Sequence, residues 1–427
     1  RTRWGSSNRK PRNIAFDLKM AFVSSPVPVG ATRPIRGRCN VRSRSLAARR
    51  SAVTMTAFPK WSPLETSEGN LNLFGHVDYT SRNAGDTVQL VKFFVDDFNP
   101  ASLFDGLDGE GTKVCVIDTG CDVNHPALAG RIINEASANF TDDNGGSPTD
   151  VTDGSGHGTH CAGIIAAEER SAIMYGIAPK TRLIICKALS DNGEPRGIIQ
   201  NVPGRLAAAI RHGVDKGADV ISMSLGLPDR IYGLPPPFED IYVEGMADMY
   251  VAVQEALAKG VVVCAAAGND GQTLTTNTIT PPGQYGGVIT VASHDDQGVR
   301  SSFSSFGGEL DFMAPGEVYS CWPIGLEYSG RPGNEYESLR GTSMATPLVA
   351  GLAALFKQGG RVPDPSVLTQ GMRQLYNVHN FRGRTNYEVR EMMRLLAERP
   401  SEHRRDDGYG RLVRAYVYVS GEVPDTA

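Results

Sequence analysis

The chain has 427 residues, with 43 Lys and Arg against 47 Asp and Glu, a formal net charge of −4 and 40% hydrophobic residues. That composition excludes a collagen-like chain, a coiled coil and a wholly disordered protein. The longest uninterrupted apolar run, near Val261–Ala267, is far too short to span a bilayer, so the chain reads as a soluble protein with no membrane partner.

The charge is unevenly spread. Residues 1–57 hold thirteen basic residues and a single acid, Asp17, and Met20 to Ala57 contains no acid at all. This Arg- and Ser-rich segment lacks a helix or strand period, and Ser24, Ser25, Pro26 and Pro28 interrupt the apolar run that a secretory signal needs. It is therefore predicted to be a targeting segment for an organelle, plastid or mitochondrion, with a disordered tail or a secreted or vacuolar destination as alternatives. The remaining residues, 58–427, carry 30 basic and 46 acidic groups, a net of −16, which argues against nucleic acid as a partner. Residues 58–105 have Pro, Asn and Gly punctuation and one weak strand, Thr87–Val95, and form an N-terminal segment or short pro-region rather than a domain.

From residue 106 the pattern becomes regular. Lys113–Ile117, Leu183–Lys187, Asp219–Met223, Val261–Ala267 and Val288–Ala292 read as buried strands. Arg205–Lys216 and Ala247–Lys259 have helical spacing and stop at Gly217 and Gly260. Met344–Phe356 is a third, apolar helical run. Strands alternating with helices imply an α/β fold with a central, mostly parallel sheet. Ligands bind such sheets beyond the carboxyl ends of the strands, where Asp118 and Asn269 fall. Seven cysteines, an odd number with no CxxC pair, read as reduced structural thiols.

Three short stretches carry the chemistry: Val116-Ile117-Asp118-Thr119-Gly120, Gly156-His157-Gly158-Thr159-His160-Cys161-Ala162-Gly163 and Gly341-Thr342-Ser343-Met344-Ala345-Thr346-Pro347. Together they supply an acid, a base and a hydroxyl. A serine hydroxyl becomes a nucleophile when an imidazole takes its proton, and a carboxylate orients that imidazole and stabilises its cation. Ser343 precedes the apolar helix, so its backbone N–H lies among the orphan donors of a helix N-terminus. That N–H can help to stabilise an oxyanion. Gly156 and Gly158, flanking His157, let backbone and ring approach a substrate closely. Taken singly, each has a bland reading: Asp118 as a turn residue, Ser343 as an N-cap, Cys161 as a helix-packing residue. His157, His160 and Cys161 match no standard zinc spacing.

The three blocks, in the order Asp, His, Ser, resemble the subtilisin-like serine proteases, the subtilases. The resemblance covers roughly residues 106–356 and resumes near Tyr387–Val419. Flanking matches are Tyr175-Gly176-Ile177-Ala178-Pro179, Ser222-Met223-Ser224-Leu225-Gly226, Ala266-Ala267-Gly268-Asn269, Ser301–Gly307 and Ala314-Pro315-Gly316. It implies the subtilisin-like three-layer fold over 106–427 and a serine endopeptidase acting through an acyl-enzyme. Asp118 would orient, His157 would serve as base and acid, Ser343 would attack, and Asn269 would donate to the oxyanion. Ser224, Leu225 and Gly226 would pair with an extended polypeptide substrate, and Ala266, Ala267 and Gly268 would line an open apolar pocket. That favours broad specificity with an apolar preference. His160 would be structural, and Cys161 would lie beside the base. No cofactor is required, and the resemblance allows structural calcium. Asp142, Asp143, Asp150 and Asp153 have oxygen ligands suited to it, with a solvated acidic loop as the other reading and no ligands assigned. The expected state is a monomer.

Two stretches are longer than the family pattern: 228–250, with Pro235-Pro236-Pro237, and 358–385, which is basic. The first is either a surface loop or a border of the cleft. Two other functions stay open, a peptidyl transferase or macrocyclase of the same family, and an inactive protease-like binding protein.

Overall fold

The apolar runs become the strands of one sheet because their side chains alternate between two packed faces. In a computed structural model of the chain, residues 107–168, 176–194, 199–231, 234–271, 279–295, 299–328, 330–360, 383 and 385–396 are described. All belong to one of two compact units, Pro59–Ala427. The other unit, Arg1–Phe58, lies outside the described residues, as do residues 58–105 with their expected strand, most of 358–385, and Cys39.

Seven strands form the central sheet: β1 (Lys113–Asp118), β2 (Ala138–Asn139), β3 (Arg182–Lys187), β4 (Val220–Met223), β5 (Val262–Ala266), β6 (Ile289–His294) and β7 (Leu310–Pro315). Their spatial order is β2-β3-β1-β4-β5-β6-β7, and every pairing is parallel. Val114 and Val116 of β1, with Leu183, Ile185 and Val220, face one helical layer, built from α1 (His157–Ala166) and α4 (Thr342–Gly359). Cys115 and Ile117, with Ile184, Cys186 and Ile221, face the other, built from α2 (Val202–Asp215) and α3 (Phe238–Ala258). Each fully buried aliphatic side chain contributes about 1.5–3 kcal/mol to this three-layer α/β core. Two antiparallel pairs lie outside the sheet, β8 (Glu317–Cys321) with β11 (Tyr336–Arg340) and β9 (Glu327–Tyr328) with β10 (Arg331–Pro332).

Helices α2 and α3 end where expected, with Gly217 and Gly260 at φ of +79° and +81°. The stretch 228–250 is not a loop throughout. Residues 238–250 extend α3 by more than three turns, anchored by fully buried Tyr242, whose hydroxyl donates to the Pro228 carbonyl at 2.6 Å. The final helix, α5 (Asn386–Leu396), is fastened by polar contacts. Arg390 reaches Asp311 Oδ1 through both Nε and Nη2, at 2.9 and 2.7 Å, and Asn386 bonds Gly287 O and Val263 N. The six cysteines among the described residues are all buried and free, as expected. Among the described residues no helix is long and apolar enough to cross a membrane.

Candidate active site

The sheet delivers Asp118 and Asn269 to one edge. Asp118 closes β1, and Asn269 follows β5 after a turn through Gly268, at φ +104°. His157 is the first residue of α1 and Ser343 the second of α4, so two helix N-termini meet these strand ends. His157 Nδ1 lies 2.7 Å from Asp118 Oδ1, with both side chains about 1% exposed. Asp118 Oδ1 also accepts from Thr119 N at 2.8 Å. Burial disfavours imidazolium, but the adjacent Asp118 charge and hydrogen bond outweigh it and raise the His157 pKa well above its ordinary value. Burial also raises the Cys161 pKa, so this sulfur stays a neutral thiol near pH 7.

Cys161 lies beside both His157 and Ser343. Its sulfur lies 4.0 Å from His157 Nδ1 and 3.5 Å from the Ser343 carbonyl oxygen. Ser343 Oγ donates to Ser224 O at 3.1 Å, and Ser224 Oγ donates to Ser343 O at 2.8 Å. The second bond has a cause in the sequence. Pro347 lies inside α4 and has no N–H, which leaves the Ser343 carbonyl four residues earlier without its helical donor. The Ser224 hydroxyl and the Cys161 thiol fill that vacancy. Proline thus costs little here and turns a helix carbonyl into a fixed contact beside the hydroxyl.

Asn269 is oriented from the same helix. Its Oδ1 accepts from Thr342 N at 3.0 Å and from Thr342 Oγ1 at 3.1 Å, while Thr342 Oγ1 accepts from Gly268 N at 3.2 Å. A helix N-terminal N–H requires an oxygen opposite, so the amide's donor end is turned away from Thr342. The segment 301–305 clamps this loop, with Ser305 N donating to Gly268 O and Ser305 Oγ accepting from Asp270 N. Ala266 and Ala267 are buried, Gly283 packs close to Ala266 O, and Thr280 Oγ1 lies against Gly226. Leu225 is buried, and Leu227 N donates to Pro281 O at 2.8 Å. The Pro281-Pro282-Gly283 punctuation is the sequence's sole hint of this wall.

The α1 terminus is organised by two residues that sequence reasoning missed in this role. Asp153, 3% exposed, accepts through Oδ1 from Thr119 Oγ1, Ser155 N and Gly156 N, and through Oδ2 from Thr159 N and Oγ1. It is a carboxylate cap for the helix that begins with His157. Thr119 Oγ1 in turn accepts from Gly158 N at 2.9 Å. The expectation that Gly156 and Gly158 face a substrate needs correction. A Cβ at Gly156 would enter the Trp322 ring and one at Gly158 would strike Gly120 O, so both permit internal close packing. His160 is fully buried, and its Nε2 donates to Glu337 O at 3.0 Å, a structural role as expected.

The four carboxylates considered for calcium do not converge. Asp153 is saturated by the cap, Asp143 turns to Lys187 Nζ at 3.3 Å, Asp150 Oδ1 accepts from Thr152 N, and Asp142 is exposed. These residues do not fit a calcium ion, and for Asp153 the solvated-loop reading fails too. Among the described residues the only grouping of three potential metal ligands is Asp118, His157 and Cys161, in the site itself.

A doubly covered parallel sheet carrying this gathering of groups at one edge is the framework of a serine-type hydrolase. The chain belongs to the subtilase family, whose sequence model matches residues 109–393. It is 40% identical over 253 residues to an intracellular serine protease of Paenibacillus polymyxa, covering 58% of this chain and 68% of that one. Identity is 38% over 260 residues to thermitase of Thermoactinomyces vulgaris, covering 60% and 79%. Among solved structures, a cold adapted subtilisin-like serine proteinase superposes with a TM-score of 0.52 at 27% identity, covering 73% of this chain and 90% of that one. The protein is thus a subtilisin-like serine protease acting on polypeptides, and the fold is the one the sequence implied.

Proposed function

We propose that the chain is an endopeptidase that cleaves peptide bonds through Asp118, His157 and Ser343. The observation that carries this reading is the buried 2.7 Å contact between His157 Nδ1 and Asp118 Oδ1, with Cys161 beside both that imidazole and a serine at a helix N-terminus. An Nδ1–H held by Asp118 leaves Nε2 as the basic nitrogen. His157 takes the Ser343 proton as Oγ attacks the scissile carbonyl carbon. The carbonyl oxygen becomes an oxyanion, met by the Asn269 amide and the Ser343 N–H. His157 then protonates the leaving amine, giving an acyl-enzyme and releasing the carboxy-terminal fragment with its new amino group. Water, deprotonated by His157, attacks the ester and releases the carboxylate fragment and Ser343. The groups doing this work all belong to the chain.

Ser224, Leu225 and Gly226 continue β4 and offer an edge to an extended peptide, with Ala266, Ala267 and Gly268 lining the first side-chain pocket. Small residues there favour broad specificity with an apolar preference. The Ser224 carbonyl holds Ser343 Oγ in the free enzyme, so substrate entry and serine release are linked. The protein works as a monomer, and residues 1–57 address it to an organelle, a reading supported by their charge alone.

The test uses the full chain and a peptide with one large apolar residue. Hydrolysis gives two fragments whose masses sum to the substrate plus one water, and Ser343→Ala gives none. A ligated or cyclised product without water uptake would establish transfer instead. No turnover by the folded wild type would establish the binding-protein reading.

A further inference from the structure

Lys187 is the last residue of β3, and its side chain is fully buried. An ammonium in such a place needs a partner for every N–H. Lys187 Nζ has three: Thr119 O at 2.5 Å, Asp191 Oδ1, and Asp143 Oδ2 at 3.3 Å. The two carboxylates are themselves placed. Asp143 Oδ2 accepts from Asp191 N at 2.9 Å, and Asp191 Oδ1 accepts from Gly154 N at 3.0 Å, three residues before His157. The cation serving this acidic loop is therefore supplied by the chain.

The partner that matters for chemistry is Thr119. Its N–H holds the same Asp118 oxygen that His157 uses, and its hydroxyl joins Asp153 to Gly158 N. Its carbonyl is held by Lys187. In sheet register Lys187 stands beside Asp118 on the neighbouring strand. We propose that Lys187 is a positioning residue for the Asp118–His157 pair, acting through the Thr119 carbonyl to set the turn that aims the Asp118 carboxylate at the imidazole. The inference rests on the catalytic reading above and deepens it. A buried ion cluster is weak support for stability, because an apolar side chain of similar size avoids the desolvation cost. Orientation is what an apolar side chain does not provide.

The test compares the full-length wild type, Lys187→Met and Arg390→Ala, with active sites counted by a fluorophosphonate so that turnover is expressed per competent site. Arg390 fastens α5 far along the chain and serves as a control for lost stability. Lys187→Met is expected to lower kcat tenfold to a hundredfold with KM within twofold, since Lys187 meets no substrate and small misplacements of reacting groups cost rate steeply. Arg390→Ala, destabilised at least as much as Lys187→Met, keeps kcat within twofold. If Lys187→Met does not fold, Lys187→Gln, which keeps a neutral NH2 donor group, is measured against the same criterion. An unchanged kcat per titrated site, an effect confined to KM, or an equal loss in the Arg390 control would overturn the proposal. A wild type that does not titrate, or a Ser343→Ala variant that does, would overturn the catalytic reading instead.

Discussion

Asn269→Ala separates two consequences that the structure attaches to one side chain. Asn269 Oδ1 accepts from Thr342 N and Thr342 Oγ1, and its amide is the proposed oxyanion donor. Truncation leaves the Thr342 N–H without its acceptor at a fully buried residue, which costs about 1–3 kcal/mol of stability. Loss of one oxyanion donor costs about 2.7–4 kcal/mol in the transition state, a range that comes from the subtilisin family itself and not from this structure. At about 1.36 kcal/mol per decade this is a fall in kcat of about a hundredfold to a thousandfold, with KM almost unchanged. Asn269→Asp keeps the oxygen that accepts both Thr342 bonds and removes the donor, so it should hold Tm near the wild-type value while losing at least as much kcat. Steady-state hydrolysis of a chromogenic peptide amide, per titrated site, reads the rates, and thermal melting of the same variants on a Ser343→Ala background reads stability. A kcat loss below tenfold in Asn269→Ala, or a loss carried by KM, would refute the oxyanion role. An equal Tm fall in both variants would refute the Thr342 contact.

Other expectations follow from the same contacts. The raised His157 pKa means that kcat/KM climbs with pH as the imidazolium deprotonates, with a midpoint above that of an ordinary imidazole, and Asp118→Asn moves that midpoint down as well as lowering kcat; the groups facing the ring are Asp118 and Cys161. The sign is opposite for stability, because a raised folded-state pKa stabilises fully below the unfolded value and the gain is lost as pH rises through the folded value. Melting of Ser343→Ala from pH 5 to 9 should therefore show this contribution falling with pH in the wild-type background and vanishing in Asp118→Asn. Ser224→Ala removes the hydroxyl that serves the Ser343 carbonyl and should lower kcat about threefold to tenfold, measured per titrated site; an unchanged kcat would show that the proline-created vacancy has no bearing on the nucleophile. Arg390→Ala strands the buried Asp311 carboxylate and should cost about 3 kcal/mol by denaturant unfolding of the Ser343→Ala chain.

The parts of the fold legible in the sequence are those where a local pattern and a buried environment coincide. β1, β3, β4, β5 and β6 are apolar runs bounded by polar residues, and parallel packing on both faces demands such runs. β7 escapes because Asp311 interrupts its run, and that carboxylate is met by Arg390, 79 residues away, and by Thr290 N. β8 and β11 alternate buried and half-buried residues too weakly to stand out. α1 is buried on every side, so it has no amphipathic period, and its glycines disguise it further. At the site, Asp118, His157, Ser343 and Asn269 sit in compact motifs. The residues that orient them do not. Thr342 meets Asn269 across 73 positions, and Lys187 meets Thr119 across 68, contacts that exist only once the sheet has assembled.

The central claim is that Ser343 is a nucleophile activated by the Asp118–His157 pair. The most direct measurement is fluorophosphonate labelling of the full chain followed by peptide mass mapping. The account predicts one adduct, on the peptide containing Ser343, absent in Ser343→Ala and formed at least a hundredfold more slowly in His157→Ala. An adduct on another residue, or labelling that persists unchanged in either variant, would contradict it.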